Sequence, residues 1–382
     1  MISYMKKIGI LTFHKSINYG SVLQTWALSK ALNDYNVSII NYEPDIYQEN
    51  YNLFAKEKGI KYNINRLLNC VAISRQIHSF SEFRQNYLNQ TEMCNSSNLS
   101  PNTFMFYDAV VTGSDQIWNV HAEDSDDAFF IPFKINGKKI AYACSINNTD
   151  FSEPRCNETL KKFILDYDFI SIRENSGTKK LSNFLNQKRK VYTMLDPTLL
   201  NEKNMYDEIT NDRLIQKPYI FLYNVWSGAS AVEAAQRISS IMGIPVYTAM
   251  MDSRIKQILR IEKKGIHVET KHTAPQDFLS LIKYADLVVT DSFHGTAFSL
   301  IFEKKFVCIN SMNPSGALKN DERITNILNI VNLKERYISI NQIFDFDFNQ
   351  NIDYKIVTQR RMAEAAKCKS MLIGAIEGNI KS

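Results

Sequence analysis

The stretch YADLVVTDSFHGTAFSLIFEKKFVCI, residues 284–309, contains a complete strand–helix–strand unit. Leu287, Val288 and Val289 form a short run rich in β-branched residues, the composition of a strand buried on both faces. Thr290, Asp291 and Ser292 are turn and capping residues. The mostly apolar run from Gly295 to Phe302 reads as a helix, and Phe306 to Ile309 as the next strand. A helix between two such strands is the crossover of a parallel sheet. His294 stands alone in this apolar neighbourhood, where the strand hands over to the helix. In open α/β sheets that crevice is where ligands bind, because helix N-termini there offer free N–H groups to anions. A histidine satisfied inside the core is the competing reading.

The same alternation runs outward in both directions. Toward the N-terminus the strands are IGILTF, VSIINY, YDAVVTG, KKIAYACS, DFISIR and KVYTML. Helical patterns fall between them at Ser21–Asn33, about 64–90, Glu153–Leu165 and 175–185. DPTLL breaks the series, and residues 201–217 are polar and charged. A second series follows: YIFLYNV, a helix from Ala229 to Met242, IPVYTA, GIHVET, a helix from Pro275 to Tyr284, DLVVT and KFVCI. Residues 354–376 read as one long helix. The expected fold is α/β, with two Rossmann-like domains facing a cleft. Their expected bounds are 1–205 and 206–382, the terminal helix packing back toward the junction. Neither half carries a G-x-G-x-x-G fingerprint or a Walker A loop.

Composition narrows the function classes. A chain of 382 residues exceeds a single core, and 45% hydrophobic with 22% charged residues is ordinary for a globular protein. The net charge of +5, from 45 basic and 40 acidic residues, favours an anionic substrate or surface without demanding nucleic acid. No zinc-finger spacing or interleaved basic and aromatic motif is present. Six scattered cysteines without a CxxC pair point to reduced thiols, not a disulfide framework or zinc site. The apolar stretch Ile8–Phe13 is too short for a signal peptide, and no run approaches the ~20 residues of a membrane span. A cytoplasmic protein is expected.

Seven segments together resemble the polysaccharide pyruvyl transferase family. They are IGILTFHKSINYGSVLQTWAL, DAVVTGSDQIWN, YACSI, ISIRENSG, LDPTLL, ADLVVTDSFHGTAFSLIFEKKFV and NDERITNIL, in the family's order. The resemblance implies the two-domain fold of B-type glycosyltransferases. It also implies transfer of a pyruvyl group from phosphoenolpyruvate onto two hydroxyls of one sugar, forming a cyclic ketal. The acceptor would belong to a bacterial surface polysaccharide or its lipid-linked precursor. Such chemistry needs cations for the donor, one placed acid and a base for the hydroxyls, and in principle no cofactor or metal. Two other readings stand beside it: a nucleotide-sugar-dependent glycosyltransferase, and a glycan-binding protein without catalysis.

Within this frame His294 fits the acid or phosphate-binding role, since imidazole titrates near neutrality and offers N–H groups. Ser292, Gly295 and Thr296 flank it as donor-site residues. Arg173 ends an apolar strand, and its fork suits a carboxylate or phosphate; an ion pair with Glu174 or Asp168 is the plainer reading. Many relatives carry arginine where this chain has Ser292, and Arg323 is the expected substitute. Asp115 is the candidate base for the sugar hydroxyl, with a turn cap as the plainer reading. His14, Asn18, Tyr19, Gly20 and Gln24 in the first strand–helix turn, with Trp118 as a stacking ring, are the expected acceptor contacts; capping and turn-making by Asn18 and Gly20, and a core place for Trp118, are the plainer readings. Asp196 reads as a turn cap before Pro197. Between Lys56 and Arg84, six basic residues face two acidic ones, with Ile60, Ile64, Leu67, Leu68 and Val71 at helical spacing. That segment is expected to be either a basic amphipathic helix at the inner membrane leaflet or an ordinary domain helix.

Overall fold

The computed structural model describes residues 5–47, 63–64, 67, 70–122, 124–147, 149–224, 229–250, 255–310, 321–380 and 382. Two compact units divide the chain. The first holds the described residues within Met1–Asn52, Glu82–Asn201 and Glu364–Ser382; the second holds those within Leu53–Ser81 and Glu202–Ala363. The chain therefore changes unit more often than a single boundary near 205 allows. Two long helices carry it across. Helix α2 (Cys70–Tyr87) passes into the first unit at Glu82, and α10 (Tyr354–Glu377) does so at Glu364.

The first unit is built on a six-stranded parallel sheet in the order β2-β1-β3-β4-β5-β6. These are β1 (Lys7–Leu11), β2 (Asn36–Ile39), β3 (Ala109–Gly113), β4 (Lys138–Cys144), β5 (Phe169–Ile172) and β6 (Val191–Thr193). Every residue of β3 and β5 is buried, as a sheet covered on both faces requires. Helix α1 (Tyr19–Ala31) is buried nearly all round, from Tyr19 through Leu28. It lies so close to the sheet that a Cβ on Gly113 would come within 2.5 Å of Leu28 Cδ2. Helices α3 (Glu158–Leu165) and α4 (Asn175–Phe184) link the later strands. Helix α3 starts later than its apolar pattern suggests, because Asn157 caps it by accepting from the amides of Thr159 and Leu160. The end of α10 is fastened in this unit: Leu195 N–H donates to Cys368 Sγ at 3.4 Å, and Glu377 pairs with Lys6 at 2.6 Å.

The second unit has its own six-stranded parallel sheet, in the order β12-β11-β10-β7-β8-β9. The strands are β7 (Ile220–Tyr223), β8 (Val246–Ala249), β9 (Ile266–Glu269), β10 (Leu287–Thr290), β11 (Phe306–Ile309) and β12 (Tyr337–Ile338). The helices are α5 (Ala229–Met242), α6 (Ile255–Glu262), α7 (Pro275–Lys283), α8 (Phe293–Ile301) and α9 (Glu322–Val331). Helix α6 has no counterpart in the sequence expectation: it is eight residues long and heavily charged. Helix α8 opens two residues earlier than expected, so His294 lies inside its first turn. Of the segment between Lys56 and Arg84, Lys56, Lys58, Ile60, Lys61, Arg66 and Leu68 lie outside the described residues.

Candidate functional site

Each sheet reverses its winding once, and ligands of such sheets bind at that switch point, beyond the carboxyl ends of the strands. In the second unit β8 and β9 are added on one side of β7 and β10, β11 and β12 on the other, so the reversal lies between β7 and β10. In the first unit it lies between β1 and β3. Both clusters described below sit at these points.

In the second unit Thr290 turns the chain out of β10. Its hydroxyl donates to the Tyr223 carbonyl at 2.7 Å and accepts from the Ser292 amide at 3.0 Å. Ser292 is the N-cap of α8, and its hydroxyl makes no cap bond. Gly295 has a steric reason: a Cβ there would stand 2.2 Å from Thr290 Oγ1 and 3.0 Å from Tyr223 Cδ1. Glycine lets the first turn of α8 lie directly over the ends of β10 and β7. His294, 9% exposed, is thereby held at the switch point, with the Phe293 ring edge-on at 5.3 Å. Thr296 is committed inward, its hydroxyl donating to the Ser292 carbonyl at 3.1 Å. Arg323 lies at the start of α9, where its Nε and Nη2 donate to the two carboxylate oxygens of Asp321 at 2.9 and 2.6 Å. Its fork is thus closed by a neighbour on its own helix.

In the first unit Arg173 is 4% exposed and joins two carboxylates. Nη1 donates to Asp196 Oδ2 at 2.6 Å and Nη2 reaches Asp115 Oδ1 at 3.4 Å. Both of these partners are distant in sequence, unlike the expected Glu174 and Asp168. Asp196 also accepts from the Thr198 amide and hydroxyl at 2.9 and 2.7 Å, so the expected turn cap doubles as an ion-pair partner. Ser21 on α1 donates its hydroxyl proton to Asp115 Oδ2, tying the β1 and β3 loops together across the switch point. Glu174 accepts from the Ser145 hydroxyl and, at 3.3 Å, from the Asn147 amide. Asp115 (φ 65°), Ala143 (φ 49°) and Asn147 (φ 48°) all adopt the left-handed region around this network. Each such residue costs roughly 1–3 kcal/mol, and strain of this kind collects at functional sites. Ser21, Ser145 and Glu174 escaped the sequence reading; the one signal was a glutamate following a strand-ending arginine.

The expected acceptor residues are distributed differently. Asn18 caps α1, accepting from the amides of Gly20 and Ser21 at 2.9 and 3.3 Å. Tyr19 and Gly20 are buried in its first turn. Gln24 is fully buried, its Nε2 donating to Thr12 Oγ1 at 2.9 Å, and its Oε1 has no hydrogen-bond partner among the described residues. Trp118 belongs to the core, not to a sugar-binding surface. Its indole N–H donates to the Phe129 carbonyl at 3.2 Å and its ring stacks on Phe130 at 5.4 Å. Among the described residues no group of three or more His, Cys, Asp or Glu could hold a metal ion.

His14 is fully buried, with Nδ1 3.1 Å from the Thr12 carbonyl and Nε2 3.1 Å from Asn41 Oδ1. Burial pushes its pKa down to about 4, outweighing the raising effect of Asn41 and Thr12. The folded protein therefore holds His14 neutral while the unfolded chain protonates it near the ordinary value of 6.5. Its contribution is present above pH 6.5 and is lost as pH falls toward 4, on the order of 3 kcal/mol in all. Urea unfolding from pH 7 to pH 4 should show that slope, and a His14→Gln variant should flatten it. An identical slope in both proteins would remove His14 as the titrating group.

Three solved structures show the fold. A trehalose-6-phosphate synthase, OtsA, is 8% identical, with a TM-score of 0.54 over 99% of this chain and 100% of that one. Apo OtsA gives 0.53 at 7% identity over 97% and 99% of the two chains. A structure described as trehalose-6-phosphate from E. coli bound with UDP-2-fluoro glucose gives 0.50 at 7% identity over 98% and 100%. Likeness at this identity shows the architecture alone, two Rossmann-like domains of the glycosyltransferase B type. No curated protein matches the sequence. The polysaccharide pyruvyl transferase family, in contrast, matches residues 18–313, a span that holds Asp115, Arg173 and His294 and ends before Arg323. This chain belongs to the polysaccharide pyruvyl transferase family.

Proposed function

We propose that the protein transfers the pyruvyl group of phosphoenolpyruvate onto two hydroxyls of one sugar, making a cyclic ketal on a bacterial surface polysaccharide or its lipid-linked precursor. The observation that carries this reading is His294 in the first turn of α8, at the switch point of the second sheet, within the family's matched span. Protonation of the donor's methylene makes a methyl group and an oxocarbenium-like carbon. The first hydroxyl adds there, the bond to phosphate breaks, and the second hydroxyl closes the ring. The two hydroxyl protons are balanced by one delivered to the methyl carbon and one leaving on phosphate. A group that both gives and takes protons near neutrality suits this exchange, and His294 is assigned that part. The amide end of α8, with Ser292, Gly295 and Thr296, is assigned to the donor's phosphate. Arg323 would join them only by exchanging Asp321 for the donor.

In the first unit Asp115 is assigned as the base toward the acceptor, with Arg173 positioned behind it at 3.4 Å. His14, Asn18, Tyr19, Gly20 and Gln24 shape the loop beside it, and the buried Oε1 of Gln24 is suited to accept from a hydroxyl. No cofactor is assigned, and the protein is proposed to act in the cytoplasm. Inorganic phosphate release from phosphoenolpyruvate, assayed with a panel of lipid-linked glycan precursors, tests the proposal. Acceptor-dependent release and thermal stabilisation by phosphoenolpyruvate are expected. Stabilisation by a nucleotide sugar, with no response to phosphoenolpyruvate, would transfer the site to glycosyl transfer.

A further inference from the structure

Helices α2 and α6 of the second unit share a small buried cluster, Ala72, Met250 and Ile258, with Val268 against it. On this side α2 is well fastened. Gln76 donates to the Met250 carbonyl and Arg75 to the Thr270 carbonyl, each at 2.8 Å, and the Ser79 and Thr273 hydroxyls lie 3.0 Å apart. The outward side carries exposed apolar residues beside the polar Ser74 and His78. Val71, next to Ala72, is 67% exposed, and Leu259, next to Ile258, is 48% exposed. Ile64 and Leu67, in the helical residues leading into α2, are 53% and 57% exposed. The spacing 64, 67, 71 is that of one face of a helix. Single exposed apolar side chains are ordinary; four gathered on two adjoining helices mark an interaction surface.

The charge around them has one dominant sign. From Lys256 to Lys271 the chain has five basic residues and two acidic ones, Glu262 and Glu269, a balance of 5 − 2 = +3. Lys256, Arg260 and Lys263 are exposed on and just after α6. Aliphatic tips among long cations differ from a protein-binding centre, which favours aromatic residues and excludes lysine. Two copies of the face would also set cation against cation. Aliphatic side chains that enter an interface while lysine and arginine stems reach outward to headgroups are the mark of a helix lying on a membrane. No described helix is long and apolar enough to cross one.

We propose that this face of α2 and α6 docks the protein on an anionic lipid bilayer, Ile64, Leu67, Val71 and Leu259 entering the interface. The surface uses no residue of either switch-point cluster, so it stands or falls apart from the pyruvyl-transfer reading. The full chain is sedimented with phosphatidylcholine vesicles, with and without phosphatidylglycerol, in low and high salt, with no glycan or phosphoenolpyruvate present. Binding is expected only to the anionic vesicles and should weaken with salt. Each of Lys256→Gln, Arg260→Gln and Lys263→Gln should lower partitioning about fivefold. Val71→Glu with Leu259→Glu should lower it at least about tenfold. All five positions are exposed, and an unchanged circular dichroism melt checks that the fold is kept. Recovery in the supernatant under every condition overturns the proposal, as does binding that these substitutions leave intact. A mass that doubles with concentration and reverts in Val71→Glu, without vesicle binding, overturns it in favour of a second copy of this chain.

Discussion

Replacing His294 with alanine should lower turnover at least ~100-fold, the lower range for one acid–base group, while the protein stays folded. The imidazole is buried at the start of α8, in a turn that Thr290, Ser292 and Gly295 close. Truncation should therefore cost on the order of 1 kcal/mol, a fall in melting midpoint of about 2–4 °C for a unit of this size. The loss in turnover corresponds to roughly 2.7 kcal/mol of barrier, too large to come from a partly unfolded population at room temperature. His294→Gln, which keeps a hydrogen-bonding group but cannot carry the proton, should be about as inactive as alanine. Phosphate release per folded molecule is the measurement. A parental value in either variant would make the histidine structural and move the proton transfer elsewhere.

Sequence and structure agree most where a local pattern has a local cause. Val288 and Val289 read as a doubly buried strand because β-branched runs between turn residues suit little else, and both are fully buried in β10. The handover at Ser292 was legible for the same reason: strand, cap and apolar helix follow within ten residues. What the chain hides is partnership at a distance. Arg173 was matched in sequence with Glu174 and Asp168, yet it pairs with Asp196, 23 positions away, and Asp115, 58 positions away. Glu174, the N-cap of α4, accepts from the Ser145 hydroxyl, a contact that its position beside Arg173 does not reveal. For Trp118 the plainer reading, a core ring, is the one the structure shows. The core residues that enclose it, Phe130 and Tyr167, come from other segments. The crossings of α2 and α10 between units are invisible to periodicity, which records one face of a helix but not a change of partner along it.

The buried pairing of Arg173 predicts the largest loss of stability. Arg173→Met removes the guanidinium at nearly constant length and leaves two carboxylates facing the space. Asp196 has a fully buried side chain and that of Asp115 is 13% exposed. Breaking such a pair by deleting one partner typically costs about 3–5 kcal/mol, mostly the desolvation of the charge left behind. The companion change Asp196→Asn removes one stranded charge and keeps an oxygen for the Thr198 amide and hydroxyl. The double variant Arg173→Met/Asp196→Asn should therefore be more stable than Arg173→Met alone, a coupling that separates charge pairing from shape. Arg173→Lys should fall between parent and Met, since a point charge replaces a fork that spans both carboxylates. Urea midpoints for the four proteins decide the matter. If Arg173→Met unfolds where the parent does, or the double variant is no better than the single, Asp115 and Asp196 are not held by this arginine.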